Sequence, residues 1–241
     1  MWQGSFEFGD FWTAYRGATD QNSPHAHVAL QLALGQGRDL SVALEDGALR
    51  APAVLIAPLA VHSVAAGQHS VVFLYVEPQA PLGQALRRLC AEAPALELPR
   101  ELADLVEGPM ARAVERLGEA LGVAQRPSLD ARLARALGVL EVGGEAGVAA
   151  AARAAGLSES ALRRLAQSAL GTPLSRWSLW RKLERSARAL AGGASLAEAA
   201  AAGPFADQAH LARTMRRMFG ITPGEAARAV RSRPEGDEQP A

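Results

Sequence analysis

Hydrophobic positions along the chain fall into two regimes. From residue 5 to about residue 78 they come in short runs, FWTAYR, HVALQLAL, LSVAL, AVLIA and VVFLYV, separated by Gly, Asp-Gly and Pro. Such runs predict strands, and Glu45-Asp46-Gly47 predicts a hairpin turn. Many short strands in so little chain predict a small barrel or sandwich. From Leu82 the apolar residues recur three and four apart. LGQALRRLCAEA and RELADLVEGPMARAVERLGEALGV therefore predict helices, with breaks at Pro94, Pro99, Pro109 and near Gly122. Their stripe of Leu102, Val106, Val114, Leu117 and Leu121 fits either a subunit interface or packing on its own domain. Gln125-Arg126-Pro127-Ser128 reads as a linker, Ser128 as the cap of a helix through about Val142, and Gly143-Gly144 as its break.

The stretch Ser195 to Gly224, SLAEAAAAGPFADQAHLARTMRRMFGITPG, reads as a helix, a sharp turn at Gly203-Pro204 and a second helix. Asp207 is placed to cap that second helix, and Leu211, Met215, Met218 and Phe219 form its inward stripe. Gly220 stops it and Thr222-Pro223 starts another. Shifted back by 49 positions, SESALRRLAQSALG lies over DQAHLARTMRRMFG without a gap, pairing Ser158 with Asp207, Leu162 with Leu211, Arg164 with Arg213 and Gly171 with Gly220. This is an internal duplication of a helix-turn-helix unit, whose second helix can enter the DNA major groove. Between the copies, Leu174 to Ala191 is one helical run of ~27 Å at 1.5 Å per residue. That length suits two reading helices about one DNA turn, ~34 Å, apart. Trp177 and Trp180 within it are expected to pack in the core.

The order DQAHL, then R-x-x-R-R-x-FG-x-TP, resembles the second helix-turn-helix of the AraC/XylS family of bacterial transcription regulators. Gly203-Pro204-Phe205 departs from that pattern, since the family carries Gly immediately before the Phe. The resemblance implies an α+β multidomain chain: a small cupin-like β-barrel at residues 1–80, a helical linker at 81–127, an all-α domain with two helix-turn-helix units at 128–233, and a disordered tail at 234–241. It implies base contacts by Ser160, Arg163 and Arg164 in the first unit and by Gln208, Ala209, Ala212 and Arg213 in the second. The chemistry agrees, because Arg bonds guanine in a bidentate manner, Gln bonds adenine and Ala touches a thymine methyl. Arg176, Arg216 and Arg217 are expected on phosphates. Double-stranded DNA, RNA polymerase and a second copy of the chain are the implied partners.

Charge sharpens this picture. The 241 residues are 49% hydrophobic with zero net charge, yet Glu145 to Arg233 carries 14 Lys and Arg against 6 Asp and Glu, while residues 1–144 carry 11 against 16. A polyanion partner is thus expected for the C-terminal half only. Cys90 is the single cysteine, which rules out an intrachain disulfide. The N-terminus has no basic segment leading into an apolar run, and nothing reaches the ~20 apolar residues of a membrane span. A cytoplasmic protein is expected.

The remaining candidate chemistry lies in histidines. Strand alternation places His25, His27, Ala29 and Gln31 on one side, and the cupin comparison brings His62, in Ala57-Pro58-Leu59-Ala60-Val61-His62, to the same interior. Such a set can hold a divalent transition metal, zinc or similar, through His25, His27 and His62, bind a small polar effector, or be hydrogen-bonded at a pocket mouth without metal. Metal-binding cupins carry Glu where Gln31 stands, which weakens metal affinity and enzymatic chemistry alike. His69 has no assigned role. The expected function is a DNA-binding regulator, not an enzyme, with a small-molecule or metal effector in the N-terminal pocket. The rivals are a metal-dependent cupin enzyme carrying a nucleic-acid module, and an effector-independent regulator whose N-terminal domain only dimerises.

Overall fold

Alternation of side chains along the N-terminal strands produces a sheet with two apolar faces. In the computed structural model, which describes residues 2–65, 70–123, 129–142 and 147–231, the strands are β1 (Gln3–Gly9), β2 (Trp12–Ala18), β3 (Leu30–Gly35), β4 (Leu40–Leu44), β5 (Gly47–Ala51), β6 (Ala53–Ile56), β7 (His62–Val64), β8 (Val71–Val76) and β9 (Ala95–Leu98). They form a six-stranded sheet, order β1-β2-β8-β3-β6-β9, and a three-stranded sheet, order β5-β4-β7. Every pairing is antiparallel, and Leu44 faces Gly47 across the predicted hairpin turn.

Val71, Phe73 and Tyr75 of β8 point to one side of the large sheet, where they share a core with Leu40, Val42 and Val64 of the small sheet. Val72, Leu74 and Val76 point to the other side, which is covered by α1 (Pro81–Cys90), α2 (Arg100–Asp104) and α3 (Met110–Ala120). Val106 and Leu117 are fully buried in that layer, with Leu102, Val114 and Leu121 packed against it. The stripe from 102 to 121 is therefore used on its own sheet, as is Cys90. Strand β9 lies inside the stretch whose periodicity predicts only helix. Paired with β6 from Ala53↔Leu98 to Ile56↔Ala95, it extends the large sheet at its edge.

The predicted barrel is corrected to two open sheets among the described residues. Where a barrel would close with strands, helices take over. Trp2 just before β1 and Tyr15, Phe73 and Tyr75 of the large sheet share their core with Trp180, Met215 and Ala226 of the C-terminal helices and with Ile221 between α9 and α10.

Those helices are α4 (Ala131–Val142), α5 (Val148–Ala155), α6 (Glu159–Leu170), α7 (Leu174–Ala191), α8 (Leu196–Ala202), α9 (Gln208–Phe219) and α10 (Pro223–Arg231). Helices α5–α6 and α8–α9 are the two helix-turn-helix units. The first has a core of its own with α4 and the start of α7, centred on Leu133, Ala152, Leu162, Leu170 and Trp177. The second lacks a separate one: Leu211, Met215 and Met218 belong to the sheet core. Each large apolar side chain buried this way contributes about 1.5–3 kcal/mol. The predicted linker at 125–128, the Gly143-Gly144 break, His69 and the tail from 234 lie outside the described residues.

Candidate functional site

Both predicted caps form where the duplicated pattern puts them. Ser158 Oγ accepts from Ala161 N at 3.2 Å, and Asp207 Oδ1 accepts from His210 N at 2.6 Å. Gly171 and Gly220 close α6 and α9 in the left-handed region at φ 71 and 69. The helix after the second turn starts on a capping box of Thr222 and Glu225, in which the Glu225 carboxylate accepts from Thr222 N at 2.6 Å. In the turn itself Gly203 sits at φ −90, and a Cβ there would lie 2.1 Å from Ser186 Oγ of α7. Pro204 takes the positive-φ position, at φ 24.

Along α6, Ser160, Arg163 and Arg164 are exposed, and along α9 so are Gln208, Ala209 and Arg213, with Ala212 half-buried. Arg163 is engaged by Glu159 at 2.8 Å, one helical turn back. Arg164, Arg213, Arg217 and Arg176 make no ion pair among the described residues and are exposed. Arg216 differs, because its guanidinium lies 3.5 Å from Ser23 Oγ and 3.7 Å from Glu225. The C-terminal end of α9 is thus docked on the N-terminal half, where Ser23 N donates to Gly220 O at 3.1 Å.

The four predicted pocket residues come together, though not on a regular strand. Residues 25–29 bend before β3 begins at Leu30, and His25 is joined to β7 by a two-way backbone bridge to His62 of 2.9 and 3.0 Å. His25, His27, Gln31 and His62 are each 3% exposed or less, so they form a sealed cluster and not a pocket mouth. Each ring turns Nδ1 to a backbone carbonyl: His25 to Ser23 at 2.9 Å, His27 to Ala29 at 3.0 Å and His62 to Ala60 at 2.9 Å. Gln31 Oε1 lies 2.8 Å from His27 Nε2 and 3.0 Å from His62 Nε2, while His25 Nε2 is buried without a partner among the described residues. Burial, reinforced by the neighbouring imidazoles, lowers His25 to about 2 and His27 to about 3, and burial lowers His62 as well. The rings are neutral.

Over this cluster sits the second helix-turn-helix unit. The His27 ring is 5.8 Å from Trp180 and 6.2 Å from Phe219, and Tyr75 is in ring contact with all three. Beside it, but lined by none of the histidines, is a cavity of about 50 Å³. Its walls are almost wholly apolar: Phe6, Tyr15 and Phe73 from the sheet, and Trp180, Met215 and Phe219 from the helices. The Trp180 indole Nε1 is buried with no acceptor among the described residues.

Charged contacts pin the same junction. Arg181 on α7 pairs with Glu77 at the end of β8, with Glu184, and with Glu141 at 3.1 Å. Burial raises Glu77 to about 7 against the opposing pull of Arg181. Trp177 Nε1 donates to Gln79 at 3.2 Å, Arg188 reaches Gly9 O at 2.9 Å and stacks 4.8 Å over Phe8, and Arg87 donates to Ala169 O at 3.0 Å.

Residues 151–229, about a third of the chain, match the family described as a helix-turn-helix domain. This region is a helix-turn-helix domain. The whole chain is also similar in fold to ToxT of Vibrio cholerae. The apo form of a single-substitution variant from strain SCE256 superposes with a TM-score of 0.62 at 10% identity, covering 93% of this chain and 99% of that one. The wild-type protein bound to an unsaturated fatty acid gives 0.59 at 10%, covering 94% and 96%. ToxT of strain O395 bound to (E)-4-(8-methylnaphthalen-1-yl)but-3-enoic acid gives 0.58 at 10%, covering 94% and 99%. No curated protein sequence matches the chain.

The matched region thus spans both copies of the duplicated pattern and includes α6 and α9. No helix of the described residues is long and apolar enough to cross a membrane. Sequence reasoning missed that Trp180 and Phe219 of this domain cover the histidine cluster, because an inward stripe has the same spacing whichever partner it meets. It also missed Glu77. The one available signal was an acid directly after the apolar run VVFLYV, where a buried strand end needs a cationic partner.

Proposed function

We propose that the protein is a DNA-binding transcription regulator in which a small apolar ligand, entering the cavity between the sheets and the second helix-turn-helix unit, changes how that unit is presented to DNA. The observation that carries the reading is that one cavity is walled by both halves of the chain. At about 50 Å³ it holds a few waters at most, so a larger ligand enters only by displacing Trp180, Met215 or Phe219. Displacement of those side chains moves α9. The ligands named with ToxT, an unsaturated fatty acid and an aryl-butenoic acid, are apolar bodies with one carboxylate. The unpartnered Trp180 Nε1 suits the acceptor end of such a molecule. Base contacts are assigned to Ser160, Arg163, Arg164, Gln208, Ala209, Ala212 and Arg213, and phosphate contacts to Arg176 and Arg217, with Arg216 joining them once it leaves Ser23.

The sealed state of the histidines supports regulation over turnover, since a substrate has no open route to them. The test is DNA affinity measured across a titration of unsaturated fatty acids, with the wild type and Ala187→Phe, whose ring fills the cavity that Ala187 of α7 also lines. The expected result is a ligand response in the wild type and none in the variant, with basal DNA binding kept. A response that survives the filled cavity refutes the site. A footprint in the wild type that no ligand changes leaves the effector-independent regulator standing instead.

A further inference from the structure

Four lone pairs meet inside the N-terminal half with no proton between them. A carbonyl oxygen only accepts, so the three Nδ1 contacts fix the hydrogen of each neutral ring on Nδ1. Every Nε2 therefore presents a lone pair. Gln31 Oε1, 2.8 and 3.0 Å from two of them, presents another. His25 Nε2 faces the same space, buried and without a partner among the described residues. Convergent acceptors repel one another unless something electropositive lies among them. Imidazoles held by Nδ1–H to backbone carbonyls, with Nε2 free, are also the form in which proteins present histidine to a metal.

We propose that His25, His27, His62 and Gln31 bind one divalent first-row transition cation, and that its occupancy sets how Trp180 and Phe219 seat on His27, and hence how the second helix-turn-helix unit docks. Three imidazoles and a carboxamide oxygen suit a borderline cation such as Zn2+ better than Ca2+ or Mg2+, which prefer oxygen-only sets. The histidine ligand atoms lie within 4.8 Å of one another. A tetrahedral ion with bonds of about 2.0–2.1 Å needs them about 3.4 Å apart, so binding draws the rings inward by about 1 Å. His27 cannot move that far without changing its contacts with Trp180, Tyr75 and Phe219. The set lacks a carboxylate to offset the added charge, which holds affinity below that of a variant that supplies one. The consequence for DNA rests on the regulator reading above; metal uptake does not.

The experiment uses the full chain, stripped with a chelator and dialysed against ZnCl2, with Co2+ as a spectroscopic substitute. The expected result is one Zn2+ per chain and the visible absorption of tetrahedral Co2+. Both are lost in His25→Ala and His62→Ala, with helix content retained by circular dichroism. Gln31→Glu is expected to bind at least about tenfold tighter, equivalent to ~1.4 kcal/mol. Where an alanine variant does not fold, this gain decides, because unchanged affinity in Gln31→Glu overturns the site. So does a folded wild type that takes up no stoichiometric Zn2+, which would mean the Gln31 amide is turned to donate to both rings. Zn2+ must also change the emission contributed by Trp180, read as wild type against Trp180→Phe; no change overturns the coupling. A chain that binds Zn2+ stoichiometrically yet shows no DNA binding sinks the regulator reading and leaves the site.

Discussion

Gly171 and Gly220 occupy equivalent positions in the two units and nearly the same backbone conformation, yet they have different neighbours. A Cβ at Gly171 lies 3.0 Å from the guanidinium of Arg87, the end of a flexible side chain that can shift by giving up its bond to Ala169 O. A Cβ at Gly220 lies 2.3 Å from Ser23 O, which is backbone. Gly171→Ala is expected to cost about 1 kcal/mol, the ordinary cost of a left-handed alanine. Gly220→Ala is expected to cost about twice that or more, because Ser23 must move and its hydrogen bond to Gly220 O is lost. Chemical unfolding of both variants checks this, and equal losses would show that the Ser23 contact is incidental. The duplicated sequence pattern made the two glycines look interchangeable. Their difference depends on a residue almost 200 positions away, beyond the reach of local spacing. Pro204 shows the opposite case, where a local departure from the AraC-type pattern falls at the turn itself.

At the scale of elements, the runs that became β2, β3, β4, β6 and β8, both helix pairs, their caps and the connecting helix α7 were legible, because each depends on residues within a few positions of one another. Strand β1 and the three-residue β7 had no run of their own, and β9 was not legible either. Its four residues lie between two prolines in a helical stretch, and only the edge of β6 makes them a strand. The barrel failed for a related reason, since helices close the interior and no strand pattern encodes that. For the reading helices, Arg213→Ala is expected to cost about 1–3 kcal/mol on the preferred sequence and to relax specificity at one base. Arg217→Ala is expected to weaken all sequences alike and lower the salt slope by about 1. Binding measured on specific and random duplexes over a salt series separates them, and equal behaviour would undo the division between base and phosphate contacts. Arg216 was assigned to phosphate from the same pattern, but in this docked state it is turned toward Ser23 and Glu225.

For the molecule as a whole, the junction between halves has a pH dependence that follows from Glu77. Its carboxyl is raised to about 7 by burial, facing Arg181 and Glu184. A raised acid favours the docked state while protonated. That contribution is complete below the ordinary carboxylate range and is lost as pH climbs through about 7. Below about pH 6.5 the buried neutral His25, His27 and His62 give the opposite dependence, stability rising with pH, so the Glu77 contribution is read against Glu77→Gln, which cannot ionise. Between about pH 5 and pH 8 the melting temperature of the variant is expected to gain several degrees on that of the wild type. An unchanged slope in the variant would remove Glu77 from the linkage.

Trp177 and Trp180 stand three residues apart on α7, yet one is buried with the first unit and the other with the sheets and the second unit. A rigid rod pinned at two such points cannot swivel at one without straining the other. News of an occupant beneath Trp180 therefore reaches the grip of Trp177 on the far reading head as well, and the two heads are expected to change their stance together.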